Sequence, residues 1–108
     1  MNKFFGFLGL TKKSGNLIEG YNKCEEYIKR SKPSLLILSK EVSPNTMKKF
    51  SKYCEENKIP FIKDIDKYSL GMALGREEIS VIIVKEKKMA DKLLELWKKN
   101  KCESEYIN

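Results

Sequence analysis

The sequence predicts an α/β sandwich, one small mixed sheet with helices on both faces, and three observations carry the prediction. Apolar residues recur at 3,4 spacing in several segments, as on the buried side of a helix. Short apolar runs, one of them rich in β-branched residues, stand between those segments. The two patterns alternate along the chain with no linker, low-complexity tract or internal repeat. The 108 residues suffice for a single domain, 1–108, and are too few for two.

Each element has its own local reason. The first ten residues read as a short helix that Asn2 can cap, with Phe4, Phe7 and Leu8 on one face. Thr11 to Asn16 reads as a basic turn. Leu17, Tyr21, Cys24 and Ile28 then step at helical spacing, and that helix must end before Pro33, which pushes its predecessor out of the α region. Leu35-Leu36-Ile37-Leu38 is a continuous apolar run, as expected of a strand covered on both faces. Ser43-Pro44 reads as N-cap and first helical position, opening a helix with Met47, Phe50 and Cys54 inward. Ile59 to Ile62 is a second short strand. Asp66 can cap a helix through Leu70, Ala73 and Leu74, stopped by Gly75. Ile79 to Val84 is the strongest strand, and Ala90, Leu93, Leu94 and Trp97 line a closing helix whose last residues are expected to fray.

Charge and absences narrow the function. Lysine and arginine number 22 against 15 acidic residues, a formal net charge of +7. Residues 1–50 hold ten basic and four acidic side chains, so an anionic partner steered by charge should meet the first half. There is no histidine, which excludes a Ser-His-Asp triad, a Cys-His pair and a His-ligated metal. Cys24, Cys54 and Cys102 are an odd count without close pairs, which argues against a disulfide framework or zinc site and fits a reducing cytosol. The apolar opening, Phe4 to Leu10, is short and lacks a small-residue cleavage site, so neither a signal peptide nor a membrane span is expected.

Few motifs carry chemistry. Gly6-Phe7-Leu8-Gly9 matches the G-x-x-G of a KH loop in form, but its aromatic flanks read as core packing. The pairs Glu25-Glu26, Glu55-Glu56 and Glu77-Glu78 are adjacent residues, which on a helix do not face one cleft, and no phosphate-binding loop is present. No set of residues supports an enzyme. The second helix is more informative. Its inner stripe leaves Asn22, Lys23 and Glu26 exposed and clustered at three- and four-residue spacing near its start. Gly20 permits close backbone approach, and the helix start favours a phosphate. Asparagine can donate and accept at a base edge, and lysine can donate to guanine O6 or N7.

A wider resemblance bears on this cluster. Ser14 to Gly20, Ser34 to Leu38, Glu41 to Thr46, Ile59-Pro60-Phe61 and Leu70 to Glu77 resemble the bacterial YlxQ family, collinearly over roughly residues 4–98. That family is related to the archaeal kink-turn-binding ribosomal protein, L-seven-Ae. The resemblance implies a three-layer α-β-α sandwich with a small mixed four-stranded sheet. It also implies a non-catalytic, monomeric, cytoplasmic RNA-binding protein without cofactor, acting on kinked structured RNA and associated with ribosome or translation. The archaeal motif reads Gly-x-Asn-Glu-x-x-Lys. Gly20 and Asn22 match its glycine and asparagine, while Lys23 stands at the glutamate position and Glu26 at the lysine position. Lys23 can only donate, so a contact made by a carboxylate must change. By position, the loop at Lys40-Glu41 and the segment Arg76 to Ile79 join the expected RNA-binding set, with Ile79 packing on a bulged nucleotide. Lys12 and Lys13 add positive charge to that set. The alternative from another class is a protein–protein adaptor of the translation or transcription machinery, which the Lys23/Glu26 reversal favours.

Overall fold

Every second residue of the two central strands belongs to a different core, and this divides the molecule into three layers. The computed structural model describes residues 3–107, with side chains described for residues 3–99. The Asn2 cap and the side chains of the final residues lie outside that range. The elements are α1 (Lys3–Lys13), β1 (Leu17–Glu19), α2 (Tyr21–Arg30), β2 (Leu35–Ser39), α3 (Pro44–Asn57), β3 (Phe61–Ile65), α4 (Lys67–Ala73), β4 (Val81–Val84) and α5 (Lys87–Ile107). The strands form one mixed sheet in the order β1-β4-β2-β3, with β2 and β3 parallel and the other two pairings antiparallel.

Strands β2 and β4 are buried throughout, which is why they read as apolar runs rather than alternating ones. Leu35, Ile37, Ile82 and Val84 point to one face, where Phe4 and Leu8 of α1, Leu70 of α4 and Leu93 of α5 cover them. Leu36, Leu38, Val81 and Ile83 point to the other, beneath Cys24 of α2 and Phe50 and Cys54 of α3. The expected three-layer sandwich with a four-stranded mixed sheet is the observed one.

Four local expectations need correction. Thr11, Lys12 and Lys13 belong to α1 and not to a turn. The helix is closed by Gly15 at φ 81°, with Gly15 N–H donating to Lys12 O and Asn16 N–H to Thr11 O, a Schellman closure that also places two cations at the negative helix end. Leu17 lies in β1 opposite Val84 and packs on the α1/α4/α5 side, whereas Cys24 packs on the other. Gly20, at φ 100°, separates strand from helix, so the helical spacing of Leu17 to Tyr21 is coincidental. Strand β3 starts after Pro60 and runs on through exposed Lys63 and Asp64, which hid it from an apolar-run reading. Ile79 and Ser80 precede β4, because Ile79 N–H donates to Lys67 O instead of a strand partner.

Gly6-Phe7-Leu8-Gly9 lies within α1, so it forms no loop. At Gly71 an added Cβ would stand 2.7 Å from Glu78 Cα, so the segment after α4 folds back directly over that glycine.

Candidate nucleic-acid interface

The sheet order brings Gly20, the Lys40-Glu41 loop and the segment before β4 to one end of the molecule. β1 and β2 both run antiparallel to β4, so the carboxyl ends of β1, β2 and β3 and the start of β4 lie together. A row of backbone bonds stitches this end: Gly20 N–H to Val81 O (2.9 Å), Ser39 N–H to Ser80 O (2.8 Å) and Lys40 N–H to Ile65 O (2.8 Å). Above it stand the starts of α2 and α4, the Lys40-Glu41 loop and the segment leading into β4. Ligands gather at the carboxyl ends of strands in open α/β sheets because helix starts and loops converge there.

The helix starts differ in how they are closed. At α3, Ser43 Oγ accepts from Thr46 N–H at 3.1 Å, with Pro44 in the first turn. At α4, Asp66 accepts from Tyr68 N–H (3.0 Å) and Ser69 N–H (2.8 Å), while Glu41 accepts from Lys67 N–H (3.0 Å). The Ser69 hydroxyl, which donates to Asp66, and these amides hold the Asp66 carboxyl below its ordinary pKa. At α2, the cap position is Gly20 and no side chain closes the first amides. Beside them Asn22 and Lys23 are exposed, and among the described residues their side chains make no hydrogen bond or ion pair. Tyr21 leans edge-on against Phe50, under Lys49, whose ammonium donates to the Tyr21 hydroxyl at 3.0 Å and pairs with Glu25. That contact lowers the Glu25 pKa and raises that of Lys49.

The remaining candidates have more definite places. Lys23, Glu26 and Arg76 line one open groove of about 530 Å³ between β1 and α2, with Glu19, Tyr27 and Arg30. Arg76 Nε donates to Glu19 Oε1 at 2.6 Å, and Lys12 Nζ lies 3.3 Å from the same oxygen and donates to Leu74 O at 2.7 Å. Glu19 thereby ties the end of α1 to the segment before β4. Spacing gives no signal for this, since Glu19 and Arg76 are 57 residues apart. Glu26 pairs with Arg30 one turn on, at 3.2 Å, a partner that the i,i+4 spacing did contain. Lys13 and Lys40 are exposed, while Glu41 is engaged at the α4 start. Ile79 is different: it is only 8% exposed and sits in the core with Leu70 and Leu74, so packing of this side chain on a nucleotide does not fit the fold.

Among the described residues there is no cluster that could hold a metal ion and no helix long and apolar enough to cross a membrane. Cys24 and Cys54 are buried free thiols, and burial pushes both pKa values to about 12. They remain thiols at neutral pH and behave as small core residues.

Comparisons with known proteins agree with the architecture. RNA-binding protein YlxQ of Bacillus subtilis (strain 168) is 29% identical over 94 residues, which span 87% of this chain and 94% of that protein. The solved structure of a Bacillus halodurans protein of unknown function superposes with a TM-score of 0.83 at 29% identity, over 89% of this chain and 97% of that one. A Giardia lamblia 15.5 kD RNA-binding protein shares the fold, with a TM-score of 0.71 at 18% identity over 88% of this chain and 82% of its own. Residues 2–94 match the model of a non-enzymatic family, and with sheet order, layers and chain coverage in accord, this chain belongs to the Ribosomal protein L7Ae/L30e/S12e/Gadd45 family.

Proposed function

We propose that this protein is a non-catalytic RNA-binding protein that recognises kinked structured RNA, with the open start of α2 as its centre. The observation that carries this reading is the uncapped helix beginning at Gly20, flanked by exposed Asn22 and Lys23 whose side chains have no protein partner among the described residues. Membership of the family and similarity to two proteins that carry RNA binding in their names support it.

The chemistry follows from the positions. A regular RNA duplex presents a deep, narrow major groove that side chains cannot read, and a kink opens it. The free amides and positive end of α2 attract a phosphate, and Gly20 lets the backbone come close. The Asn22 amide then meets a base edge, and Lys23 donates to guanine O6 or N7. Lys13 and the exposed part of Arg76 neutralise phosphates, which makes binding salt-dependent. Glu26 opposes this, but its pair with Arg30 offsets part of its charge. The protein acts in the cytoplasm on ribosomal or messenger RNA, as a partner of translation. A protein–protein adaptor is the rival reading, and the carboxylate of Glu26 beside the helix start favours it.

A titration against a kink-turn RNA and a control with its sheared G·A pairs disrupted tests the proposal. Tighter binding to the kink-turn is the expected result. Equal affinity for the two would overturn kink recognition and promote the adaptor.

A further inference from the structure

The sheet has two edges, and they are built differently. At the β3 edge the register shifts between Ile37 and Ser39, placing an extra residue in β3, and exposed Lys63 and Asp64 stand on the strand. A bulge and edge charges are how sheets discourage a further strand. The β1 edge has no bulge, and its one charged residue, Glu19, is held by Arg76 and Lys12.

Its backbone is also turned outward. Gly20 N–H donates to Val81 O, and Lys85 N–H to Asn16 O. In an antiparallel pair the bonded positions alternate, so residues 16, 18 and 20 face β4. The N–H and C=O of Leu17 and Glu19 therefore point away from the sheet, two donors and two acceptors about 6.8 Å apart. Beside them runs the 530 Å³ groove, with Ile18 and Tyr27 as apolar lining and Lys23, Arg30 and Arg76 as cations.

We propose that the edge of β1 and this groove take an extended acidic peptide as an added strand. The outward donors and acceptors repeat at the spacing of a strand, which a peptide backbone matches residue by residue; RNA donates through 2′-hydroxyls and base amines, but not at that repeat. Alternate peptide side chains enter the groove against Ile18 and Tyr27. Charge sets the acidic preference: Glu19 is already held by Arg76 and Lys12 and Glu26 by Arg30, which leaves Lys23, of the groove's cations, without a partner among the described residues. A three-residue edge offers few bonds, so the complex is weak and depends on the groove.

The test uses the full chain, isotope-labelled and free of RNA, so that its failure leaves the kinked-RNA reading untouched. The probes are a capped peptide alternating valine with aspartate, its valine–lysine counterpart, two versions of the acidic peptide N-methylated on one or the other alternate set of amides, and oligouridylate. The acidic peptide should shift the Leu17 and Glu19 amides and slow their hydrogen exchange, with the lysine peptide weaker by about tenfold. One methylated version should lose the effect and the other keep it, since only one edge of an added strand faces β1. Unchanged exchange at Leu17 and Glu19, an equal response to both charge types, equal behaviour of the two methylated peptides, or stronger protection by oligouridylate would each overturn the proposal.

Discussion

The starts of α2 and α4 sit at the same end of the sandwich, yet one is open and the other closed. Asp66 and Glu41 between them take three amides of α4, whereas Gly20 takes none of α2 by side chain. An unfilled helix start costs stability, since a polar cap contributes ~0.5–2 kcal/mol. The protein accepts that cost at α2 and removes it at α3 and α4. On the proposed function, the difference separates a surface held for RNA from surfaces that hold the fold, although all three helix starts carry the same dipole.

Substitutions at the two kinds of start should therefore fail in different ways. The largest effect on binding is expected at Asn22. Asn22→Ala should weaken kinked-RNA binding by ~1–3 kcal/mol, the scale of a bidentate base contact, and leave the unfolding midpoint unchanged because the side chain is exposed and has no partner among the described residues. A gel-shift titration reporting wild-type affinity would reduce the α2 start to scaffold.

The capped starts should show the opposite pattern. Ser43→Ala should lower stability in urea unfolding by ~0.5–2 kcal/mol, through loss of the bond to Thr46 N–H, with RNA affinity unaltered. At Asp66 the effect depends on pH. Its pKa is lowered in the folded state, so its contribution is present above the ordinary carboxylate value and lost as pH falls through the lowered one. The gap between wild type and Asp66→Ala should thus be open at neutral pH and close in acid. A gap that stays constant would mean that the cap does not act through the ionised carboxylate.

The smallest expected effect sharpens the account of α2 itself. Glu26→Lys removes the carboxylate paired with Arg30 and adds a cation in the groove. Binding should tighten, and the dependence of log affinity on log salt should steepen by about one unit as one more phosphate is neutralised. The double change with Lys23→Glu should depart from additivity, because the two residues are three apart on one helix. An unchanged salt slope would turn this face of α2 away from the RNA.

How much of this could be read from the chain depended on whether the signal was local. Ser43-Pro44 and Asp66 announced their helices because a cap acts within three residues. The β2 and β4 runs were legible because both faces of each strand are buried. Strand β1 was not, since three half-buried residues flanked by glycine turns carry no periodicity. Of the expected interface, Asn22, Lys23 and Glu26 were found exposed, as helical spacing implied. Ile79 shows the limit of transfer by position. The apolar run placed it inside the last strand, and only the three-dimensional packing reveals that it precedes β4 with its side chain turned inward. The Lys12–Glu19–Arg76 cluster joins three separate stretches of chain and left no pattern in any one of them.

The central claim is that the open helix start meets RNA and the capped ones do not, and amide shift mapping during titration with a kink-turn RNA tests it most directly. The account predicts large shifts at Tyr21, Asn22 and Lys23, with Thr46, Tyr68 and Ser69 nearly still. Shifts concentrated at Thr46, Tyr68 and Ser69, or spread evenly over the lysine-rich surface with Asn22 unmoved, would contradict it.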